Sequence, residues 1–294
     1  NVSVTRLESY LSKQGRFNEM TRGAQYYWFV TDLVRNFEKN AGEIMANLKK
    51  VQELVFTRGN LIAGTTCSED DDKRYAAAVS PFLTSLPDTH IAAASWMLTP
   101  VALNEGLLTT SKVQYVVKGN NFRKLGLVWD GKWNVLSQIM STDWLQTQIR
   151  VVGGAYGGFS SVSRNGFFYM ASYRDPNLKE TFDNFAGTVN YLSAFNADVA
   201  AMTRYIIGTI AGLDFPLTPS EKGNMAFRCY FEKASREELQ ADRNAVLSTT
   251  AADIRAMSAV VARILEPHVF CVYGNEDILK TNKSLFKKLV VLQK

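Results

Sequence analysis

The sequence runs to 294 residues, 46% of them hydrophobic and 21% charged, with only 7 prolines. That length predicts one large or two ordinary folded domains and excludes disorder as the main state. No apolar run reaches the roughly 18 residues of a membrane-crossing helix, so a soluble chain with no membrane partner is expected. The 33 basic and 28 acidic residues leave +5, spread along the chain rather than gathered in blocks, so no nucleic-acid partner is predicted. Cys67, Cys229 and Cys271 are odd in number and share no short metal-type spacing, which argues against a disulfide framework or zinc knuckle and for a reducing compartment, cytoplasm or organelle matrix. Asn1 in place of Met, with no signal pattern in the first thirty residues, leads us to expect a processed or truncated chain.

From Ala24 to Phe56, Phe29, Leu33, Phe37, Ile44, Leu48, Val51 and Val55 return at helical steps, which predicts helix throughout, either continuous or as two helices meeting near Asn40 and Gly42. Asn60–Thr66 reads as a short strand. Ser68–Arg74, with Glu69, Asp70, Asp71 and Asp72 in a row, reads as a solvated polar break; it lacks the alternating ligands and central glycine of a calcium loop. A second unit is expected from Leu86 and Pro87 onward, giving a helical segment over 1–85 and an α+β domain over 86–294.

In that unit, Val113–Lys118 is a predicted strand and Trp133–Trp144 a helix. Gly157–Tyr173 is an antiparallel hairpin whose Asn165-Gly166 suits a type I′ turn. Asp175-Pro176 reads as a helix start, with Leu178, Phe182, Phe185, Val189 and Leu192 on one face. Further helices are announced near Asn196, at Thr218-Pro219-Ser220-Glu221, at Ser235–Glu238 and at Thr250–Asp253. The last runs to Pro267, and His268–Tyr273 is a buried closing strand. Together these describe an α+β fold: a largely antiparallel sheet with helices packed on one face, preceded by a helical segment.

Little conventional chemistry is offered. His90 and His268 stand far apart with no carboxylate at ligand spacing, so no metal site is predicted, and His268 reads as a core or edge residue. No Gly-x-Ser-x-Gly elbow is present. Gln148–Gly158 is richer, with Arg150 and Tyr156 around Gly153, Gly154, Gly157 and Gly158. Phosphate cradling is unsupported, because the Lys-Ser/Thr of a P-loop is missing. On residue chemistry alone the segment reads first as a tight turn into the hairpin, with Arg150 on the surface and Tyr156 in the core. Its second reading is a cation and a phenolic donor placed to hold peptide carbonyls or a developing oxyanion.

The run from Arg150 through Val151-Val152-Gly153-Gly154-Ala155-Tyr156-Gly157-Gly158, the hairpin, and Ser172-Tyr173-Arg174-Asp175-Pro176-Asn177-Leu178 resembles the C-terminal half of pitrilysin/insulinase-family zinc metallopeptidases, in the presequence protease and falcilysin branch. The likeness continues through Ile206–Ile210 to the closing strand and covers nearly the whole chain.

The resemblance implies four similar α+β domains in two halves that close around an unfolded peptide, with residues 1–85 ending the third domain and 86–294 forming a complete fourth. Zinc would be held by an inverted His-x-x-Glu-His motif in the N-terminal half; this chain has no such motif and is expected to bind no metal. Arg150 and Tyr156 match residues that reach the substrate near the zinc, which implies catalytic and substrate-binding roles for them, with Gly153 and Gly154 beside them. The implied partners are the N-terminal catalytic half and unfolded peptides. Arg174 and Asp175 read as a helix start and its ion partner. A non-catalytic relative acting as a peptide-binding or assembly subunit is the alternative, and a module for acidic ligands, resting on charge alone, is a third. An apolar patch is expected where the missing half would sit.

Overall fold

Residues 2–22 carry no strong period, yet they form two helices, α1 (Val2–Leu11) and α2 (Lys13–Arg22). The computed structural model describes residues 2–89, 91–92, 94–100 and 103–292. Ser12 sits between the two helices and caps the second, its hydroxyl accepting the Gly15 N–H at 2.8 Å. Next come α3 (Ala24–Arg35) and α4 (Phe37–Val55). Their break falls at Asn36 rather than near Asn40 and Gly42, because the Asn36 amide turns back to the Asp32 carbonyl at 3.1 Å and carboxylate at 2.9 Å.

Two further expectations fail here. Residues 61–66 find no ladder partner and form no strand; they lie along α9 (Pro219–Glu232), where Gly64 meets Phe227 and Thr66 meets Gly223. The acidic run is not a break but the first turn of α5 (Glu69–Ser85), capped by Ser68. Four acidic residues there face the positive end of the helix dipole, which favours them.

The remaining elements are β1 (Glu105–Thr109), β2 (Tyr115–Asn121), α6 (Lys132–Ile139), β3 (Gly157–Val162), β4 (Phe167–Tyr173), α7 (Lys179–Ser193), α8 (Val199–Leu213), α10 (Arg236–Leu247), α11 (Ala251–Leu265), β5 (Phe270–Asn275), α12 (Glu276–Thr281) and β6 (Lys288–Val291). The strands form one sheet in the order β3-β4-β2-β5-β1-β6. The first three pairings are antiparallel, and β1 lies parallel to both neighbours. The α+β class is as expected, but the sheet is mixed rather than largely antiparallel, because β1 runs parallel to β5 and β6. The capping boxes at Thr218 and Thr250 are formed as read.

Alternation along the strands splits the buried residues between two faces. Val116, Phe168, Met170, Phe270 and Val272 join Leu136, Ile139, Phe185, Ile254 and Val261 in the larger core, under α6, α7 and α11. That is the expected helical layer. The opposite face carries Leu107, Val117, Ala171 and Cys271, and α1 seals it with Leu7, Tyr10 and Leu11. Burial pushes the Cys271 thiol pKa up, which keeps it an inert core residue.

Two turns differ in detail from their sequence reading. In the hairpin only Gly166 takes positive φ, +97°, while the Asn165 side chain accepts the Phe167 N–H at 3.0 Å, so the connection is not a type I′ pair. Helix α7 starts at Lys179 rather than after Asp175, because Asp175 exchanges backbone hydrogen bonds with Gln114 at 2.7 and 2.8 Å and stays extended. Its buried carboxylate still organises the helix start from below, accepting from Asn177 N at 2.9 Å and the Thr181 hydroxyl at 2.6 Å.

Contacts divide the chain into two units. One unit comprises Asn1–Tyr27, Leu98–Asp214 and Glu237–Lys294, since α1 belongs to the sheet; the other comprises Trp28–Met97 and Phe215–Arg236. Within the second, α4 buries no residue and exposes Met45, Leu48, Val51 and Val55 along one stripe. Among the described residues no single helix is long and apolar enough to cross a membrane.

Candidate functional site

The helix expected over 133–144 runs on to Val152, so Arg150 stands in its last turn. From Met140 to Val152 it widens to a π-helix. Its buried side chains step from Met140 to Leu145 and then Ile149, and the five-residue step fits the wider turn. This stretch lies directly on β3, and a Cβ at Gly158 would fall 2.7 Å from the Ile149 Cβ and 2.8 Å from the Leu145 carbonyl oxygen. Only glycine permits that approach.

The chain leaves the helix through Gly153 and Gly154. Gly153 N–H donates to the Gln148 carbonyl and Gly154 N–H to the Arg150 carbonyl, both at 3.0 Å, and Gly154 turns the backbone at φ +77°. Asn177 Nδ2 fixes the loop from the other side, donating to the Gly153 carbonyl at 2.6 Å. Gly153 and Gly154, expected beside the substrate as binding residues, commit their N–H groups to the helix end. Buried Ala155 anchors it between two exposed side chains.

Those two side chains are Arg150 and Tyr156. The Tyr156 N–H donates to the Tyr173 carbonyl at 3.1 Å, which holds it at the mouth of the hairpin. Its ring is 64% exposed, so the reading that buried it in the core does not hold. The Arg150 guanidinium carbon lies 5.6 Å from the centre of the Tyr156 ring, within cation–π range. Six positions apart in sequence, the two residues present one joint surface.

The surface continues in directions not legible in the sequence. Tyr173 meets Tyr156 edge to face at 5.7 Å and Tyr115 at 5.3 Å, and Tyr115 leans on Tyr273 at 5.5 Å. Arg174 places its guanidinium carbon 5.8 Å from the Tyr173 ring centre. The neighbouring phenols, Tyr115 first and Tyr173 after it, hold its pKa above the ordinary arginine value. A signal did exist, because Tyr115, Tyr173 and Tyr273 each lie two residues from Val117, Ala171 and Cys271 and so share their face. Arg174 and Asp175 do not form the ion pair expected of them, since Asp175 points inward. Among the described residues no carboxylate pairs with either Arg150 or Arg174.

No group of three or more His, Cys, Asp or Glu among the described residues is placed to hold a metal ion, so these donors do not fit a zinc site. His90 lies outside the described residues. His268 sits at φ +51° ahead of β5 rather than within it, with its ring 5.1 Å from Phe270 and 5.9 Å from Phe182. Partial burial, and after it the charge of Lys118, pushes its pKa down.

Comparison with known proteins gives this arrangement a context. Residues 104–271 match the family described as PreP C-terminal domain. Protein HypA of Clostridium perfringens is 32% identical over 98% of this chain and 29% of its own length. Presequence protease 1, chloroplastic/mitochondrial, of Arabidopsis thaliana is 29% identical over 96% of this chain and 26% of its own. The chain therefore spans less than a third of the length of these relatives. Among solved structures, a protease from Helicobacter pylori shares the fold, with a TM-score of 0.50 and 12% identity over 69% of this chain and 51% of that one. With the family matched from β1 to the first residues of β5 and across the Arg150–Tyr156 loop, the chain belongs to the PreP C-terminal domain family, the C-terminal part of presequence protease-like proteins.

Proposed function

We propose that the whole protein is a zinc-dependent endopeptidase acting on unstructured peptides in a closed chamber, and that this chain forms part of the chamber wall. The observation that carries the reading is the exposed Arg150–Tyr156 pair, a guanidinium and a phenol stacked at 5.6 Å and engaged by no carboxylate among the described residues. Such a pair can donate to a peptide carbonyl and, more strongly, to the oxyanion that develops when that carbonyl is attacked. The π-helix end and the glycine loop hold the donors in place before substrate arrives, which is the condition for selective stabilisation of the transition state. The metal would be held by a part of the protein outside this chain, and the N-terminal half is the partner that would close the chamber.

Tyr156→Phe in the full-length protein tests this. The variant keeps the ring under Arg150 and loses only the hydroxyl. A fall in kcat of about 100-fold with KM little changed is expected for a lost oxyanion donor. Turnover equal to the parent protein on several unstructured peptides would remove Tyr156 from the chemistry.

A further inference from the structure

The pairing of β2 with β4 contains an irregularity at Arg174. The ladder aligns Val117 with Ala171 and Lys118 with Met170, a register that would set Gln114 opposite Arg174. Gln114 instead bridges Asp175. Between these pairs β2 has two residues and β4 three, a β-bulge, and of those three Arg174 is the one with left-handed backbone, at φ +50°. A bulge position with left-handed backbone is ordinarily glycine, and a long side chain there is strained.

The consequence is where the side chain goes. The bulge turns Arg174 over the face of Tyr173 at 5.8 Å, and Tyr173 in turn meets Tyr115 edge to face at 5.3 Å. Asp175, the nearest carboxylate in sequence, is buried and occupied by Asn177 and Thr181. A guanidinium oriented from behind and without an acidic partner is suited to a carboxylate, which it binds through two parallel N–H donors. The tyrosine row beside it, with Tyr173 36% exposed and Tyr156 at its end, offers ring faces to the neighbouring apolar atoms of the same ligand.

We propose that Arg174, with Tyr115 and Tyr173, is a specificity-determining subsite that reads a carboxylate of the bound peptide, adjoining the Arg150–Tyr156 pair. The inference rests on the reading of that pair as a peptide site. The carboxylate has two sources, an acidic side chain or the peptide's own C-terminus.

The test is Arg174→Gly in the full-length protein, with matched peptides carrying Glu or Gln at one internal position and ending in a free acid or an amide. Glycine accepts φ +50° without strain, so the melting temperature is expected to hold or rise. KM for carboxylate-bearing peptides should rise about 10-fold or more while kcat holds, and neutral peptides should change less than about twofold. Arg174→Lys should recover part of the loss. An effect on the Glu/Gln pair alone assigns the subsite to side chains, and on the acid/amide pair alone to the C-terminus. Equal losses on charged and neutral peptides, or no loss, would overturn the proposal. If the protein shows no turnover, the same ratios are read as Kd from the anisotropy of labelled peptides. Arg150→Ala separates the two readings. Silence of that variant, together with altered charge discrimination in Arg174→Gly, removes the oxyanion role and leaves the subsite. The converse result removes the subsite alone.

Discussion

Arg150→Ala in the full-length protein is expected to lower kcat/KM on unstructured peptides about 100- to 1000-fold, the usual consequence of deleting one preorganised oxyanion donor. Arg150 is exposed, and its described partner is the similarly exposed Tyr156 ring, so the fold does not depend on it. An unchanged melting temperature should therefore accompany the loss. The kinetic split is informative: a fall in kcat points to the developing oxyanion, whereas a rise in KM alone points to ground-state binding of a peptide carbonyl. Arg150→Lys should fall between the two, because an ammonium keeps the charge but loses the planar fork and the stacking on Tyr156. Parent-like kcat/KM for Arg150→Ala would remove the residue from the reaction.

The largest stability effect is expected far from that surface, at Arg6. Its guanidinium is buried and makes a two-point contact with Glu105, Nε to Oε2 at 2.6 Å and Nη2 to Oε1 at 2.9 Å, and a third bond from Nη1 to Glu19 at 3.0 Å. The Tyr10 hydroxyl completes the group by donating to Glu105 at 2.6 Å. This network fastens α1 and α2 to the start of β1. Arg6→Ala would leave two buried carboxylates without their cation and should cost about 3–5 kcal/mol, read from urea unfolding of the chain.

Glu19→Gln should behave oppositely. One cation faces two carboxylates, and Glu19 Oε2 is buried without a hydrogen-bond partner among the described residues. Burial pushes the Glu19 pKa up, against the opposing pull of Arg6. The sign follows directly. A carboxyl that holds its proton longer in the folded state contributes its stability below the ordinary glutamate range, and that contribution fades as pH rises through the raised value. Glutamine removes this dependence, so near neutral pH the variant should match or exceed the parent in stability, and its stability should vary less with pH in that window. Marked destabilisation by Glu19→Gln would show that the second carboxylate is needed charged.

Much of the chain beyond residue 104 was readable because its start signals are local. The capping boxes at Thr218 and Thr250 and the paired strand runs around Asn165-Gly166 depend on neighbours within a few residues. What escaped reading depends on distant partners. Residues 61–66 resemble a strand, but a strand needs a ladder and this segment meets a helix instead. Residues 2–22 are held largely by burial of Leu7, Tyr10 and Leu11 against a sheet that begins about a hundred positions later. Arg150 and Tyr156 were found through their spacing and the family resemblance. That they stack follows from the end of the π-helix and the bond from Tyr156 to Tyr173, and that a bulge aims Arg174 over the adjoining tyrosine follows from pairing between β2 and β4; local sequence encodes neither.

The most direct test of the peptide-facing role is photo-cross-linking. A benzophenone side chain is placed at position 156 of the full-length protein, and in a control at Val128, which is 80% exposed on the same unit. An unstructured peptide should label position 156 well above the control, and excess unlabelled peptide should compete the label away. Labelling at 156 no greater than at 128, or insensitive to competitor, would contradict a site built on Arg150 and Tyr156.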